Sequence, residues 1–434
     1  MTTGQDYFSP SFMRRFYAET LGIAQRKIAE QQEIRPDAEK RLKPRLATGG
    51  NFSGFFLWDT VFCCLWAKYE ADKLPVVSSL DNFYLLQRED GFLCREFDRD
   101  GNACWSAEHP ISQNPPLLSW AEWELFRHGV TGAGRLAAVL PLLKQNYAFI
   151  RSNFRLPNGL YFSDALGGGM DDLPRMPADP RDPALADAGI PFRTDHILVD
   201  HLKECGPEIA ANPLYSWNRQ MAWIDFSAQM AFNALNLAKI SETVGADDDA
   251  RYFREEHWEL AERINRHCWD EERGFYFDAT ENGVIPRFHI GAMWTLIAGV
   301  TPPERRKRML TAIMDRQKFN RPNPIPALPA DDPDYRPESA YWSGVTWPCT
   351  TYMVLRGLRD NGFEAAAQEL ARKIYHAYAE LFDRTGTVWE NISPEQSAMP
   401  RARKSGRDFC GWGALIPIAV AREFLGLQPE SRNS

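Results

Sequence analysis

The 434-residue chain has no cysteine signature: its eight cysteines, at 63, 64, 94, 104, 205, 268, 349 and 410, form no Cys-x-x-Cys metal pair. Their density is also far below that of a disulfide scaffold, so they read as reduced and mostly buried thiols. No long basic stripe is present, and the net charge is −8. A nucleic acid or another polyanion is therefore not expected as a partner. The N-terminus, Met1-Thr2-Thr3-Gly4-Gln5-Asp6-Tyr7, lacks the basic and apolar regions of a secretory signal. The most apolar run, Phe409 to Ala421, is interrupted by Pro417 and is shorter than the roughly 18 residues that suggest a membrane span. A cytoplasmic protein is expected, with no membrane partner. No strict internal repeat occurs, which disfavours a solenoid. No linker divides the chain, so residues 1–434 are expected to form a single domain despite exceeding the usual size of one core.

Helical periodicity is abundant. Apolar residues recur at three- and four-residue intervals over Phe12 to Gln32, Phe56 to Ala71, Leu117 to His128, Ala133 to Asn153, Met221 to Val244 and Ala250 to Trp269. The same spacing predicts helices over Ile290 to Ala298, Arg305 to Gln317, Thr346 to Leu358, Glu364 to Phe382 and Trp412 to Phe424. Strand signals are short and local, as in Gly159-Leu160-Tyr161-Phe162 and Gly274-Phe275-Tyr276-Phe277-Asp278. Two kinds of helix alternate. Segments such as Ala133 to Asn153 are rich in charge, as an outward face would be; those near Trp58, Trp120, Met221 and Trp347 are aromatic and poor in charge. That alternation predicts an all-α toroid with an outer and an inner ring. Two polar connections, 156–213 and 316–341, are longer than ordinary helix connections and are expected to be functional loops. Pro324, Pro326, Pro329, Pro333 and Pro337 stiffen the second.

The segment Gly167-Gly168-Gly169-Met170-Asp171-Asp172-Leu173-Pro174-Arg175 places a carboxylate in a glycine-rich loop, where backbone can approach a ligand closely. Asp171 is the candidate catalytic acid and Asp172 its rival; ordinary turn chemistry is the plain alternative. Fourteen tryptophans offer faces suited to the C–H surface of a sugar ring, although tryptophan is equally a core residue. Arg401, Arg403, Lys404 and Arg407 read as a solvated basic loop. Asp225 supports the pocket or makes a buried hydrogen bond, and His109 reads as structural.

Together with Phe56-Leu57-Trp58-Asp59, Ser112-Gln113-Asn114-Pro115-Pro116, Tyr341-Trp342-Ser343-Gly344-Val345-Thr346-Trp347 and Trp389-Glu390-Asn391, this segment resembles the trehalase-like glycoside hydrolases. Glycoside hydrolase family 63 and its bacterial glycosylglycerate hydrolases are the nearest pattern, and family 37 trehalases a more distant one. The motifs follow the family order from about Asn51 to Trp412, covering most of the chain. The resemblance implies an (α/α)6 barrel, with loops capping one end, that works as an inverting glycosidase. Asp171 would then be the general acid and Glu390 the general base. Trp58 and Asp59 would bind hydroxyls of the cleaved sugar, and Gln113 would line the pocket, although Asn114 interrupts the usual spacing. The family's Tyr-Trp-Arg-Gly-x-x-Trp motif is matched at Tyr341, Trp342, Gly344 and Trp347, but serine stands at 343 in place of its arginine. Trp389 and Trp412 complete the aromatic set.

Inversion needs one carboxyl to protonate the leaving oxygen and another to activate water, roughly 6.5–9.5 Å away. Two carboxyls and water suffice, so no metal or organic cofactor is expected. The expected partner is a small carbohydrate, an α-glucoside being the glycoside that the resemblance favours, with self-association left open. Two other readings stay open on the residues alone. One is a sugar epimerase of the N-acylglucosamine type, using His289 with His201 or His376; the other is a carbohydrate-binding protein without turnover.

Overall fold

The computed structural model describes residues 5–31, 42–105, 113–163, 167–171, 173–175, 221–338, 342–400 and 406–428. Tyr341, Asp172, His109, His201, Cys205, Arg401, Arg403, Lys404 and the stretch 176–213 of the first long loop lie outside the described residues.

Burial sorts the helices into two classes. Every residue of α2 (Leu57–Ala67) is buried, as are sixteen of the twenty in α6 (Ile224–Thr243) and all but two of the thirteen in α10 (Pro348–Asp360). A helix hidden all round must be enclosed by others. By contrast α7 (Asp247–His267) buries five residues, Ala250, Phe253, Glu256, Leu260 and Ile264, at helical spacing. It therefore presents one stripe inward and its charges outward. Helices α1 (Pro10–Gln31), α3 (Val76–Leu86), α5 (Ala133–Phe154), α9 (Pro303–Met314) and α11 (Glu364–Thr385) likewise leave a solvent face.

The enclosed helices form a closed ring. α2 packs on α4 (Leu118–Arg127), α4 on α6, and α6 on the short α8 (Trp294–Ile297). α8 then packs on α10, α10 on the turn Gly413–Leu415, and that turn returns to α2. Outer helices lean on this ring, as α7 does on α6 and α11 on α10. The expected all-α toroid of paired inner and outer helices is the observed architecture.

Several expected helices are shortened or replaced for identifiable reasons. The segment Trp412 to Phe424 begins as a 3-10 turn, widens into a π-helix over Ile416–Val420 and ends as α12 (Ala421–Glu423). Pro417 lies in the widened stretch, where a regular turn would lose an N–H donor and crowd the proline ring. Ile290–Met293 is 3-10 before α8. Helix α3 was not among the expected helices, although Val76, Leu80 and Phe83 are buried at helical spacing; it starts immediately after Pro75 and packs on α2. The strand signal at Gly274 to Asp278 appears as Phe275–Tyr276 paired antiparallel to Trp269–Asp270. That at Gly159 to Phe162 is reduced to a bridge between Arg155 and Tyr161. A pair not expected, Phe55–Phe56 with Glu96–Phe97, leads into α2.

One end of the ring is closed by charge. Lys68, just past the end of α2, contacts Glu124 of α4 at 2.7 Å and Glu423 of α12 at 3.4 Å. Arg356 of α10 reaches Glu124 at 2.8 Å and Glu423 at 3.7 Å. All four side chains are buried, and the Arg356 and Lys68 cations hold the Glu124 carboxyl well below the usual carboxylate range despite its burial. Cations at the C-terminal ends of helices also oppose the negative pole of the helix dipole. Arg356→Met should strand Glu124 and Glu423 with too little positive charge. Denaturant unfolding at neutral pH should show a loss of about 3–5 kcal/mol; a loss below about 1 kcal/mol would mean that Lys68, with Arg359 3.3 Å from Glu423, is enough to neutralise the cluster.

Candidate active site

The opposite end of the ring gathers the residues of interest. Asp59 lies in the first turn of α2, Asn114 shortly before α4, and Asp225 in the first turn of α6. His289 immediately precedes the 3-10 turn at Ile290, Trp347 immediately precedes α10, and Trp412 precedes the turn at Gly413. The site thus sits where inner helices begin. Unpaired backbone N–H groups and the positive ends of helix dipoles favour anionic groups at such a place.

The glycine-rich loop is fastened to this end at successive points. Asn114 is buried; its Oδ1 accepts from the Trp58 backbone N–H at 3.3 Å, and its Nδ2 donates to the Gly167 carbonyl at 3.1 Å. The residue that interrupts the family spacing is therefore the one that ties α2 to the loop. Gly169 has φ +77°, and a Cβ there would stand 2.6 Å from the Trp58 ring. Glycine is required on both counts. Met170 and Leu173 are buried, whereas Asp171 between them is partly exposed. Such a loop anchors its apolar neighbours and presents the carboxyl.

Asp171, Asp59 and Glu390 belong to one electrostatic site. Burial pushes the Asp59 carboxyl well above its usual range; the charges of Asp171 and Glu390 push it further, and Arg95 opposes them. Glu390 is buried, and its Oε2 accepts the Gly406 N–H at 2.9 Å. Trp412 Nε1 donates to the Glu390 carbonyl at 2.7 Å.

The aromatic wall is layered. The rings of Trp342 and Trp347 stack 4.1 Å apart at an interplanar angle of 7°, and Trp412 meets Trp347 edge-on at 5.9 Å. Trp58 lies against Trp294 at 5.9 Å. Trp389 is turned elsewhere: its Nε1 donates to Thr385 Oγ1 at the end of outer helix α11, at 3.0 Å. Successive residues of an extended segment face opposite ways, so with Glu390 turned inward Trp389 turns outward. Gly344 has a conformational role. Its φ is +152°, and a Cβ would stand 2.9 Å from the Arg336 backbone nitrogen. Gln113 is fully buried; its Nε2 donates to the Asn114 carbonyl at 2.8 Å, and its Oε1 has no hydrogen-bond partner among the described residues. An unmet buried acceptor of this kind suits a donor supplied by water or a ligand.

Ser343 uses its carbonyl to accept the Arg336 N–H at 2.8 Å, within a loop that also pairs Ala327 with Val345. That proline-rich loop, 316–338 as far as it is described, buries Ile325, Ala327 and Leu328 and leads to the tryptophan stack.

Four residues to which the family motifs gave no role form a buried charged cluster. Arg175 pairs with Asp225 and with Asp278, at 3.1 Å for the latter. Asp278 also meets His289 Nε2 at 3.2 Å. Arg175 and His289 together hold the Asp278 carboxyl down at about 2 in spite of its burial. Arg175 was visible as the last residue of the loop motif and His289 only as a candidate for epimerase chemistry; Asp278 sits in a short irregular connection that carries no signature. Of the histidines that an epimerase would need, two lie among the described residues, and His289 is engaged in this cluster. The other, His376, packs against Tyr7 and Phe8 from outer helix α11. The structure does not bring the two together.

Among the described residues no group of three or more His, Cys, Asp or Glu side chains is arranged to hold a metal ion. No described helix is long and apolar enough to cross a membrane.

The fold and site together define an (α/α) toroid that gathers carboxyls and tryptophans at its inner-helix N-termini. Residues 68–411 match the mannosylglycerate hydrolase MGH1-like glycoside hydrolase domain, and the chain belongs to that family of glycosidases. The crystal structure of a family 63 mannosylglycerate hydrolase from Thermus thermophilus, in complex with glucose, superposes with a TM-score of 0.71 at 18% identity. That match covers 93% of this chain and 99% of the other, and it shows the shared fold. An uncharacterised protein of Borreliella burgdorferi is 24% identical over 357 residues, 81% of this chain and 66% of its own length. A periplasmic trehalase of Pseudomonas aeruginosa is 23% identical over 412 residues, 88% of this chain and 71% of its own length. The resemblance to trehalase-like enzymes read from the motifs is upheld.

The strained electrostatics of Asp59 have a measurable signature. Its folded-state pKa is raised, so the native protein binds a proton more tightly there than the unfolded chain does. Stability from this group is present at low pH and is lost as pH rises through the folded value. Asp59→Asn should therefore be more stable than the native protein, by about 1–2 kcal/mol near pH 8, with the difference shrinking toward pH 4. Urea denaturation at the two pH values tests it; a variant less stable at pH 8 than at pH 4, relative to native, would contradict the assignment.

Proposed function

We propose that this protein is an inverting glycosidase that cleaves a small α-glycoside, with an α-glucoside as the sugar to test first. The observation that carries the reading is the electrostatic meeting of Asp171 and Glu390 at Asp59, beside a layered tryptophan wall. Asp171, on its partly exposed loop, acts as general acid and passes its proton to the glycosidic oxygen as the C–O bond breaks. Glu390 acts as general base, taking a proton from the water that attacks the anomeric carbon from the opposite face. A separation of roughly 6.5–9.5 Å between the two carboxyls is what this geometry needs. Asp59 and Trp58 bind the sugar that is cleaved, Gln113 Oε1 accepts from a ligand or water donor, and Trp342, Trp347 and Trp412 form the wall. Tyr341 and Gly344, of the same motif, and Trp389, next to Glu390, complete the proposed substrate-binding set.

Similarity to a mannosylglycerate hydrolase and to a trehalase supports a small glycoside as substrate. Serine at 343 removes the cation that the family motif would offer to an acidic aglycone, which favours a neutral one. We also propose that residues 1–434 act as one catalytic domain, with the loops 156–213 and 316–341 covering the site. A cytoplasmic location is proposed as well. It is supported by the free thiols of the seven described cysteines, Cys104 being exposed.

A panel of α-glucosides and α-mannosides, followed by NMR of the first product anomer, tests the function. The β-anomer of the sugar should appear first; initial release of the α-anomer would refute inversion. Asp171→Asn and Glu390→Gln should each lower turnover by about 100- to 10,000-fold, the range of general acid–base catalysis. Asp172→Asn should cost much less, and a larger loss there than at Asp171 would reassign the acid.

A further inference from the structure

We propose that Arg175 is the positioning residue for the catalytic acid, clamping the glycine-rich loop to the inner ring so that Asp171 meets the leaving oxygen. The proposal rests on Asp171 being that acid. Arg175 lies four residues beyond Asp171, and the loop around them has Met170 and Leu173 as its buried apolar anchors. The guanidinium does three things at once. Its Nη1 donates to Asp225 Oδ1 at 3.1 Å, and its Nη2 donates to Asp225 Oδ2, which makes a two-pronged pair. Nη1 also donates to Asp278 Oδ2 at 3.1 Å. Its face lies 3.7 Å from the centre of the Trp223 ring.

Both carboxylates are themselves immobilised. Asp225 Oδ1 accepts the Phe226 N–H in the first turn of α6, and Asp278 Oδ1 accepts the Ile224 N–H at 2.8 Å. His289 holds the other oxygen of Asp278, and Gly291 leaves no Cβ to push between His289 and Asp225. Arginine is therefore demanded by geometry as well as by charge. A lysine ammonium is a point charge that cannot make the planar two-pronged contact and stack on an indole together. An acid displaced by about 1 Å loses much of its rate, because proton transfer depends steeply on alignment.

The clamp acts through the acid, so its loss should appear only where an acid is needed. Glycosidic oxygens need protonation to leave, whereas fluoride leaves without it. In Arg175→Lys, kcat on an alkyl α-glycoside should fall by about 100-fold or more, with KM changed by less than about threefold. Hydrolysis of the corresponding α-glycosyl fluoride should stay within about threefold of native. Equal losses on both substrates would overturn the proposal and leave Arg175 a structural residue. Asp171→Asn serves as the reference. If it too spares the fluoride, the acid assignment stands and the Arg175 result is read on its own; if it abolishes both, the acid assignment fails and the positioning role of Arg175 falls with it. Should Arg175→Lys not fold, Asp225→Asn gives the same readout, since Asp278 still neutralises the guanidinium. The same selective loss is expected there, and equal losses would again refute the clamp.

Discussion

The inner ring of helices begins at one end of the toroid and finishes at the other, and the rest of the structure follows from that polarity. At the finishing end, backbone carbonyls and acidic side chains gather, and Lys68 and Arg356 are buried among Glu124 and Glu423 to balance them. At the beginning end, unpaired N–H groups and positive dipole ends gather, and this is where Asp59 and Asp225 lie in first turns. The polarity lets a protein hold several carboxyls close together at a place where their mutual repulsion would otherwise oppose folding.

The candidate site nevertheless retains electrostatic strain. The carboxyl of Asp59 is held above its ordinary range by burial and by two neighbouring acids, with Arg95 as partial relief. A site optimised for stability alone would have an apolar or paired residue there. Local departures from the stable choice mark functional positions, where the strain is kept because chemistry uses it. The Arg175 cluster is built the other way. There two buried aspartates share a guanidinium and a histidine, so Asp278 is held low and fully paired. In one group of buried charges the carboxyl of Asp278 is held low by its cations; in the other the carboxyl of Asp59 is held high by burial and by neighbouring acids.

Small details of the backbone decide which side chains face inward. Gly169 lets the loop press on Trp58, Gly344 lets the segment around Arg336 approach the tryptophan stack, and extended geometry sends Glu390 and Trp389 to opposite sides. Asn114 joins two motifs that are remote in sequence by accepting a hydrogen bond from Trp58 and donating one to Gly167.

Much of this was legible in the chain itself. The alternation of charged and aromatic helical segments determined a two-ring helical toroid, because enclosed and solvent-facing helices cannot carry the same composition. The motifs around Trp58, Asp171, Trp342 and Glu390 located one end of it. Other features depended on contacts that no local pattern encodes. The partnership of Arg175 with Asp225 and Asp278 joins residues 50 and 103 positions apart. Whether an indole N–H turns to the Glu390 carbonyl, as that of Trp412 does, or to the end of outer helix α11, as that of Trp389 does, is set by the direction of the backbone at that point. Composition and periodicity report what a segment needs to be buried against; only the folded chain decides which partner it finds, because pairing energies depend on distances between segments far apart in sequence.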